Sequence, residues 1–145
     1  MKSGKTCDPI CVVTKYHPDK PETKGVFSPT ITLNIASKNE LEYLGYESFE
    51  ELIEMSVSAV TQLLKDFTII KRYEPYDICG CKFHEWDAEY LFEHVEFDEP
   101  LKVELKVLKA EHNEFYYDFN CHQSLAQNQT AYHEFDEFKK TIKLI

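Results

Sequence analysis

The sequence has little glycine and little proline, with four and six residues in a chain of 145. Flexible linkers and low-complexity tracts are rich in these residues, so none is predicted here. A chain of this length fits one domain, and 43% hydrophobic residues are enough for a core that needs no disulfide or metal to hold it. We therefore predict a single globular unit.

Positive charge is also scarce. Lys and Arg number 16 against 26 Asp and Glu, which gives a net charge of −10, and the basic residues form no stripe along the chain. Such a surface repels a phosphate backbone, so we predict no nucleic-acid partner. A basic or hydrophobic protein, or a cation, remains open as the partner. No run of about 18 apolar residues is present, so we predict no membrane span.

The chain also lacks a recognisable export signal. Its first residues, MKSGKTCDPICVV, contain no apolar stretch of the kind that secretory signals carry. Five cysteines cannot all pair within one chain, which favours a reducing compartment. The prediction is a cytoplasmic protein. The alternative is an exported or lipid-anchored protein whose signal has been removed.

Hydrophobic periodicity predicts the secondary structure. Apolar residues at alternate positions indicate strands over residues 10–16, 29–36, 67–73, 77–92, 101–107 and 115–121. Within 77–92 the apolar residues switch from odd-numbered to even-numbered positions. This switch predicts a one-residue bulge near His84. The last two strands flank a short polar turn and are expected to form an antiparallel hairpin. A capping box at Ser48 opens a helix over 48–66, and a second helix is expected over 130–143.

These elements favour one fold class. Residues 1–25 form a polar N-terminal segment with one short strand, and 26–145 form the domain proper. Four consecutive strands between two helices predict an α+β fold, with a mostly antiparallel sheet of five or six strands sandwiched by helices. The buried faces of the helices and strands are expected to include Leu52, Val60, Leu63, Phe119, Phe135 and Phe138. On this basis Leu63→Ala is expected to cost about 2–5 kcal/mol.

Four segments in this order resemble the PsbP-like superfamily, which includes DcrB-type and Mog-type domains. Residues 29–36 (PTITLNIA) resemble the family's P-x-I-x-V strand, and the helix from residue 48 resembles the long helix after it. Residues 78–86 (ICGCKFHEW) resemble a strand that begins at a glycine, here Gly80. The segments EFYYDFN and FDEFKKTIKLI resemble the final strand and the aromatic-rich last helix. The resemblance covers residues 26–145, whereas 1–25 lack the family's opening strand. It implies a sheet with helices on both faces and a binding or assembly role without shared catalytic residues.

An acidic strip is the first candidate site. Glu85, Asp87 and Glu89 share one face of the strand over 77–92, and Trp86 lies on the other. No Lys or Arg interrupts the carboxylates between residues 85 and 99, a pattern that predicts a strong negative potential. Three interpretations are open. The strip is a solvated face without a partner, a set of alternate carboxylates that coordinates a hard cation such as calcium, or a docking surface. In the last case Glu85, Trp86, Asp87 and Glu89 bind a basic protein.

A cysteine and histidine cluster supplies an alternative. Cys79, Cys81 and His84 lie close together in the sequence, and thiolate and imidazole are ligands that zinc prefers. Structural zinc sites place two to four residues between paired cysteines, a spacing that only Cys7 and Cys11 have, and that pair also suits a disulfide. Two cysteines on one strand face are typical of a core. The expectation is no cofactor, with a metal-binding or redox protein as the alternative function.

No catalytic set emerges from the sequence. Cys121 and His122 are adjacent, but strand alternation points them to opposite faces. Four dispersed glycines cannot form a phosphate-binding loop. The sequence therefore predicts that the chain is not an enzyme. It predicts a non-catalytic binding or accessory protein, chaperone-like, that acts through protein–protein contacts on a sheet face or in the groove beside the first helix.

Overall fold

A computed structural model describes residues 11–14, 27–78, 80–95, 97–124 and 131–144, with the backbone alone at 11–14 and 131–132. The strands in these ranges are β1 (Cys11–Thr14), β2 (Thr30–Ser37), β3 (Lys65–Arg72), β4 (Tyr76–Ile78), β5 (Cys81–Phe92), β6 (Leu101–His112) and β7 (Phe115–Gln123). The helices are α1 (Lys38–Tyr43), α2 (Phe49–Leu63) and α3 (Ala131–Lys139). Within this part of the chain, no helix combines the length and the apolar character that a membrane crossing requires.

The strands form one sheet in the order β1-β2-β7-β6-β5-β3, and β4 pairs with the first residues of β5. Every pair is antiparallel. The turn between β6 and β7 consists of Asn113 and Glu114, which have φ values of 46° and 68°. Positive φ at both residues is the geometry of a type I′ turn, whose twist matches that of the flanking strands. The predicted hairpin is confirmed.

The start of α2 follows the predicted capping box. The Ser48 side chain accepts a hydrogen bond from the Glu51 N–H at 3.1 Å, and the Glu51 carboxylate accepts one from the Glu47 N–H at 3.1 Å. The first bond satisfies an amide that the first turn of the helix leaves unpaired, and the second ties the helix to the residue before its N-cap. The short helix α1 was not predicted, although Ser37 caps it in the same way.

The expected α+β sandwich is wrong. Of the described residues, 48% lie in strands and 26% in helices, so the fold is dominated by its sheet. Helices α2 and α3 pack on different faces, but neither forms a layer. At about 1.5 Å per residue the nine residues of α3 span about 14 Å. At about 3.4 Å per residue the twelve residues of β6 span about 40 Å. Long strands beside short helices leave most of the sheet without helical cover.

The predicted bulge near His84 is also wrong. From Phe83 opposite Ala110 to Phe92 opposite Leu101, the register between β5 and β6 is continuous. The apolar parity changes along β5 for another reason, which is that both faces of the strand are buried. Cys81 and Phe83 join one hydrophobic cluster, while the even-numbered Trp86, Ala88 and Tyr90 join the other, beneath α2.

The predicted core is partly correct. Phe119 and Phe135 are buried, and Leu52, Val60 and Phe138 are half-buried. Leu63 is the error, because its side chain is 75% exposed in the last turn of α2. Val60 and Leu64 are half-buried, so Leu63 lies at the edge of the face that α2 turns to the sheet.

The exposure of Leu63 changes the expected effect of its truncation. Leu63→Ala should change the free energy of unfolding by about 0.5 kcal/mol or less, since little apolar area leaves a protein environment. Leu108→Ala is the matched control, because Leu108 is fully buried and its truncation should cost about 2–5 kcal/mol. Denaturant titration of both variants measures the difference. If both variants lost the same free energy of unfolding, Leu63 would have to be buried in the core like Leu108.

Candidate functional site

The acidic strip is part of an ion-pair network on the face that carries α3. Glu85 is 4% exposed, and its two carboxylate oxygens lie 3.1 Å from Lys106 Nζ and 2.9 Å from Lys139 Nζ. Lys106 Nζ also lies 2.8 Å from Asp87 Oδ1. Lysines from β6 and α3 therefore neutralise carboxylates that the sequence places alone on β5.

The pKa values show how strongly the network holds its charges. Burial alone would raise the pKa of Glu85, but hydrogen bonds from Tyr76 and Lys139 and the charge of Lys106 hold it below the ordinary value. Burial alone would lower the pKa of Lys106, yet its bonds to Asp87 and the two carboxylate charges raise it. Both groups therefore stay ionised at neutral pH. Such a network is well suited to hold α3 on the sheet.

The predicted partner-binding residues are less accessible than expected. Glu85 and Trp86 are buried, on opposite faces of β5, and Asp87 and Glu89 are half-buried. Glu89 lies 3.0 Å from Lys102 Nζ. That these residues bind a partner stays a prediction. However, the open negative surface on which it rests is largely neutralised within the fold.

The predicted metal ligands do not come together. Cys79 lies outside the described residues. Cys81 is buried on the α3 face, where its Sγ lies 3.2 Å from His112 Nδ1. His84 lies on the opposite face, where its ring packs edge-on against Phe49 of α2. Cys81 and His84 therefore cannot share one ion, and the described ranges hold no group of three or more metal-binding side chains.

A cleft of about 310 Å³ lies between α2 and the sheet. Its volume falls at the lower end of the range for ligand pockets. Its largely apolar walls are formed by Ser56, Val60, Leu64, Phe67, Trp86, Leu105 and Val107. Its floor is a polar platform, the six sheet residues Thr32, Asn34, Lys109, Asp118, Asn120 and His122. We call this cavity the α2 cleft.

Strand register builds the polar platform. Asn34 of β2 lies opposite Asp118 of β7, which lies opposite Lys109 of β6. The neighbouring row places Thr32 opposite Asn120. Because side chains alternate along each strand, these rows project from the same face as Trp86. The face beneath α2 is thus apolar on β5 and β6 but polar on β2 and β7.

Three buried polar atoms in the α2 cleft lack a hydrogen-bond partner in the described part of the chain. They are Asn34 Oδ1, Asp118 Oδ1 and Trp86 Nε1. Lys109 Nζ lies 3.0 Å from Asp118 Oδ1, so the two form an ion pair, but without the geometry of a hydrogen bond. Most buried polar atoms in folded proteins are paired. Asp118 Oδ1 is thus engaged by Lys109, whereas Asn34 Oδ1 and Trp86 Nε1 have no partner in the described ranges, and this makes the α2 cleft that both residues line the candidate functional site.

His122 at one end of the platform is uncharged at neutral pH. Burial lowers its pKa to about 4, and the nearby charge of Asp118 offsets this only in part. Its Nδ1 lies 2.9 Å from the Tyr90 hydroxyl. The neighbouring Cys121 belongs to the cluster on the opposite face, where burial raises the pKa of its thiol to about 12. As the sequence predicts, the two side chains do not form a nucleophile–base pair.

An exposed apolar stripe lies along α2 next to the cleft. Met55 is 50% exposed, Leu63 is 75% exposed, and Ala59 between them is also exposed. On a helix, Ala59 neighbours Ser56 and Leu63 neighbours Val60 at a spacing of three residues. The stripe therefore continues the apolar wall of the cleft onto the surface.

The sequence contained a partial signal for this site. The polar faces of β2 and β7 can be read from the alternation of each strand, but the sequence does not show that these strands pair. Asn34 and Asp118 are 84 residues apart. Without that pairing the six platform residues look like ordinary solvent-facing positions.

Comparison with known proteins supports the fold. No protein-family model matches the chain, and no match is found among curated proteins. A crystal structure of PA94 from Pseudomonas aeruginosa has a similar fold, with a TM-score of 0.67 and 12% sequence identity, over 100% of this chain and 89% of that chain. PA94 is a protein of unknown function for which a regulatory role has been suggested. At this identity the likeness shows the fold alone, and the resemblance to the PsbP-like superfamily stays a prediction.

Proposed function

We propose that this chain is a non-catalytic binding or accessory protein, chaperone-like in that it holds a segment of another protein in the α2 cleft. One observation carries the proposal. Among the described residues, Asn34 Oδ1 and Trp86 Nε1 are buried without a hydrogen-bond partner, and both residues line a cavity with apolar walls. Ligand sites combine apolar walls with a few convergent polar groups in this way.

The surroundings of the cleft favour a protein segment over a compact small molecule. The exposed stripe of Met55, Ala59 and Leu63 extends the apolar wall beyond the cavity. Contiguous exposed apolar surface is typical of protein interaction sites. A net charge of −10 further favours a basic partner, which it would attract at long range. The suggested regulatory role of PA94 is compatible with an accessory function, and a cytoplasmic location stays part of the proposal.

A matched pair of substitutions on α2 tests the site. Ser56 is half-buried and lines the cleft, whereas Ser58 is exposed on another side of the same helix. Ser56→Phe should fill the cleft and reduce capture of partner proteins tenfold or more, while Ser58→Phe should leave capture unchanged. The measurement is affinity capture from the cells that make the protein, with the bound proteins quantified by mass spectrometry.

The control for folding is the denaturant midpoint of both variants, which should stay near that of the wild type. If the same proteins bind both variants equally well, the binding surface lies outside the α2 cleft and the proposal is wrong.

A further inference from the structure

We infer that the polar end of the α2 cleft is a subsite for one amide group, which accepts a hydrogen bond from Trp86 and donates one to Asn34. The inference rests on the proposed function in that a partner segment would supply the amide from its main chain or from an Asn or Gln side chain. The subsite itself is defined by the chemistry of two atoms without a partner in the described residues, Asn34 Oδ1 and Trp86 Nε1.

The orientation of the Asn34 amide is fixed by its neighbour. Asn34 Nδ2 donates to Asp118 Oδ2 at 3.5 Å. A carboxylate only accepts hydrogen bonds, so the NH₂ group must face Asp118 and the carbonyl oxygen must point elsewhere. Asn34 Oδ1 is therefore an acceptor with no donor in the described residues.

Among the described residues, Trp86 has an unpaired hydrogen-bond donor where Asn34 has an unpaired acceptor. Its side chain is 4% exposed, and its only polar atom, Nε1, is a donor without a partner in the described part of the chain. A buried indole N–H ordinarily finds an acceptor. Trp86 lies on β5 opposite Val107, next to the β6 position of Lys109, whose Nζ lies 5.9 Å from the indole ring. The donor thus borders the polar platform and not a separate cavity.

These atoms select the chemistry of a ligand. One acceptor and one donor require a group that both donates and accepts. A carboxylate would pair with Trp86, but it has no hydrogen to donate to Asn34. An ammonium would pair with Asn34, but it would leave Trp86 unpaired and lie near Lys109. An amide offers an N–H and a C=O on separate atoms, which suits an acceptor on β2 together with a donor on β5.

The single tryptophan of the chain makes the inference measurable. In the ¹⁵N-labelled full chain, one indole N–H resonance reports on Trp86. Four probes share the same six-carbon chain: hexanamide, hexanoate, hexylammonium and hexanol. Hexanamide should move the indole resonance downfield in a saturable way, with an affinity on the order of millimolar for so small a molecule. The other three should cause shifts at least fivefold smaller at equal concentration.

A matched pair of variants locates the effect. Asn34→Leu keeps a similar volume but removes Oδ1, and it should weaken hexanamide binding tenfold or more. Asn39→Leu, at an exposed position of α1, should bind like the wild type. The inference is overturned if hexanamide gives no saturable shift, or if hexanol, hexanoate or hexylammonium shifts the resonance equally. Because the wild-type titration alone decides this, a variant that fails to fold does not obscure the result.

The outcomes separate this inference from the proposed function. If hexanamide does not bind but Ser56→Phe abolishes partner capture, the amide subsite is wrong and the binding function stands. If hexanamide binds but Ser56→Phe captures the same proteins as the wild type, the subsite is real and the protein partner binds elsewhere.

Discussion

Replacing Phe135 with alanine is expected to destabilise the protein by about 3–5 kcal/mol. Phe135 is 1% exposed and is the central contact of α3 with the sheet, where it joins Phe83, Leu108 and Phe119 in one cluster. Truncation removes the buried ring and leaves a cavity that neighbouring side chains fill only in part. Denaturant unfolding of the purified variant measures the loss.

The control for this change is Phe115→Ala. Phe115 is 42% exposed at the start of β7, so the same chemical change there should cost about 1 kcal/mol or less. A Phe135→Ala variant as stable as Phe115→Ala would show that α3 does not rest on the sheet through this ring.

The features predicted correctly from the sequence are local ones. The hairpin of β6 and β7 needs only a two-residue turn between alternating strands, and Asn113 supplies a residue type that tolerates positive φ. The start of α2 needs only Ser48 and Glu51, three residues apart. In each case the residues that decide the structure are neighbours in the chain.

The features predicted wrongly depend on long-range contacts. The two apolar parities of β5 look like a bulge unless both faces of the strand are known to be buried. Leu63 continues the apolar stripe of α2, but whether the sheet reaches it depends on where the strands lie. The sandwich prediction assumed that each of the two predicted helices covers one face of the sheet. Helix α3 is too short to form such a layer.

The acidic strip shows how a charge pattern misleads. No Lys or Arg lies between residues 85 and 99, and the sequence alone therefore predicts an open negative face at Glu85 and Asp87. Their partners come from β6, at Lys106, and from α3, at Lys139. A carboxylate on a strand interior to a sheet has two neighbouring strands, so its charge balance cannot be predicted from its own segment.

Removing the charge of Lys106 is expected to cost about 3–5 kcal/mol, because buried Glu85 then keeps only Lys139 as an ionic partner and Asp87 loses its ammonium. Lys106→Met keeps the apolar stem of the side chain and deletes the ammonium that lies 3.1 Å from Glu85 and 2.8 Å from Asp87. The matched control is Lys102→Met on the same strand. Lys102 pairs with Glu89 at an exposed position, so its loss should leave the stability close to that of the wild type.

The pH dependence distinguishes a lost charge from lost packing. In the folded protein the pKa of Glu85 lies below its ordinary value of 4.5, so its contribution to stability is fully present above that value and is lost as the pH falls through the folded value. Without Lys106 the pKa of Glu85 should rise. The stability difference between wild type and Lys106→Met should therefore shrink as the pH is lowered from neutral to about 4. A difference that stays constant over this range would mean that Lys106 stabilises the fold through the contacts of its stem, and that the ion-pair network contributes little.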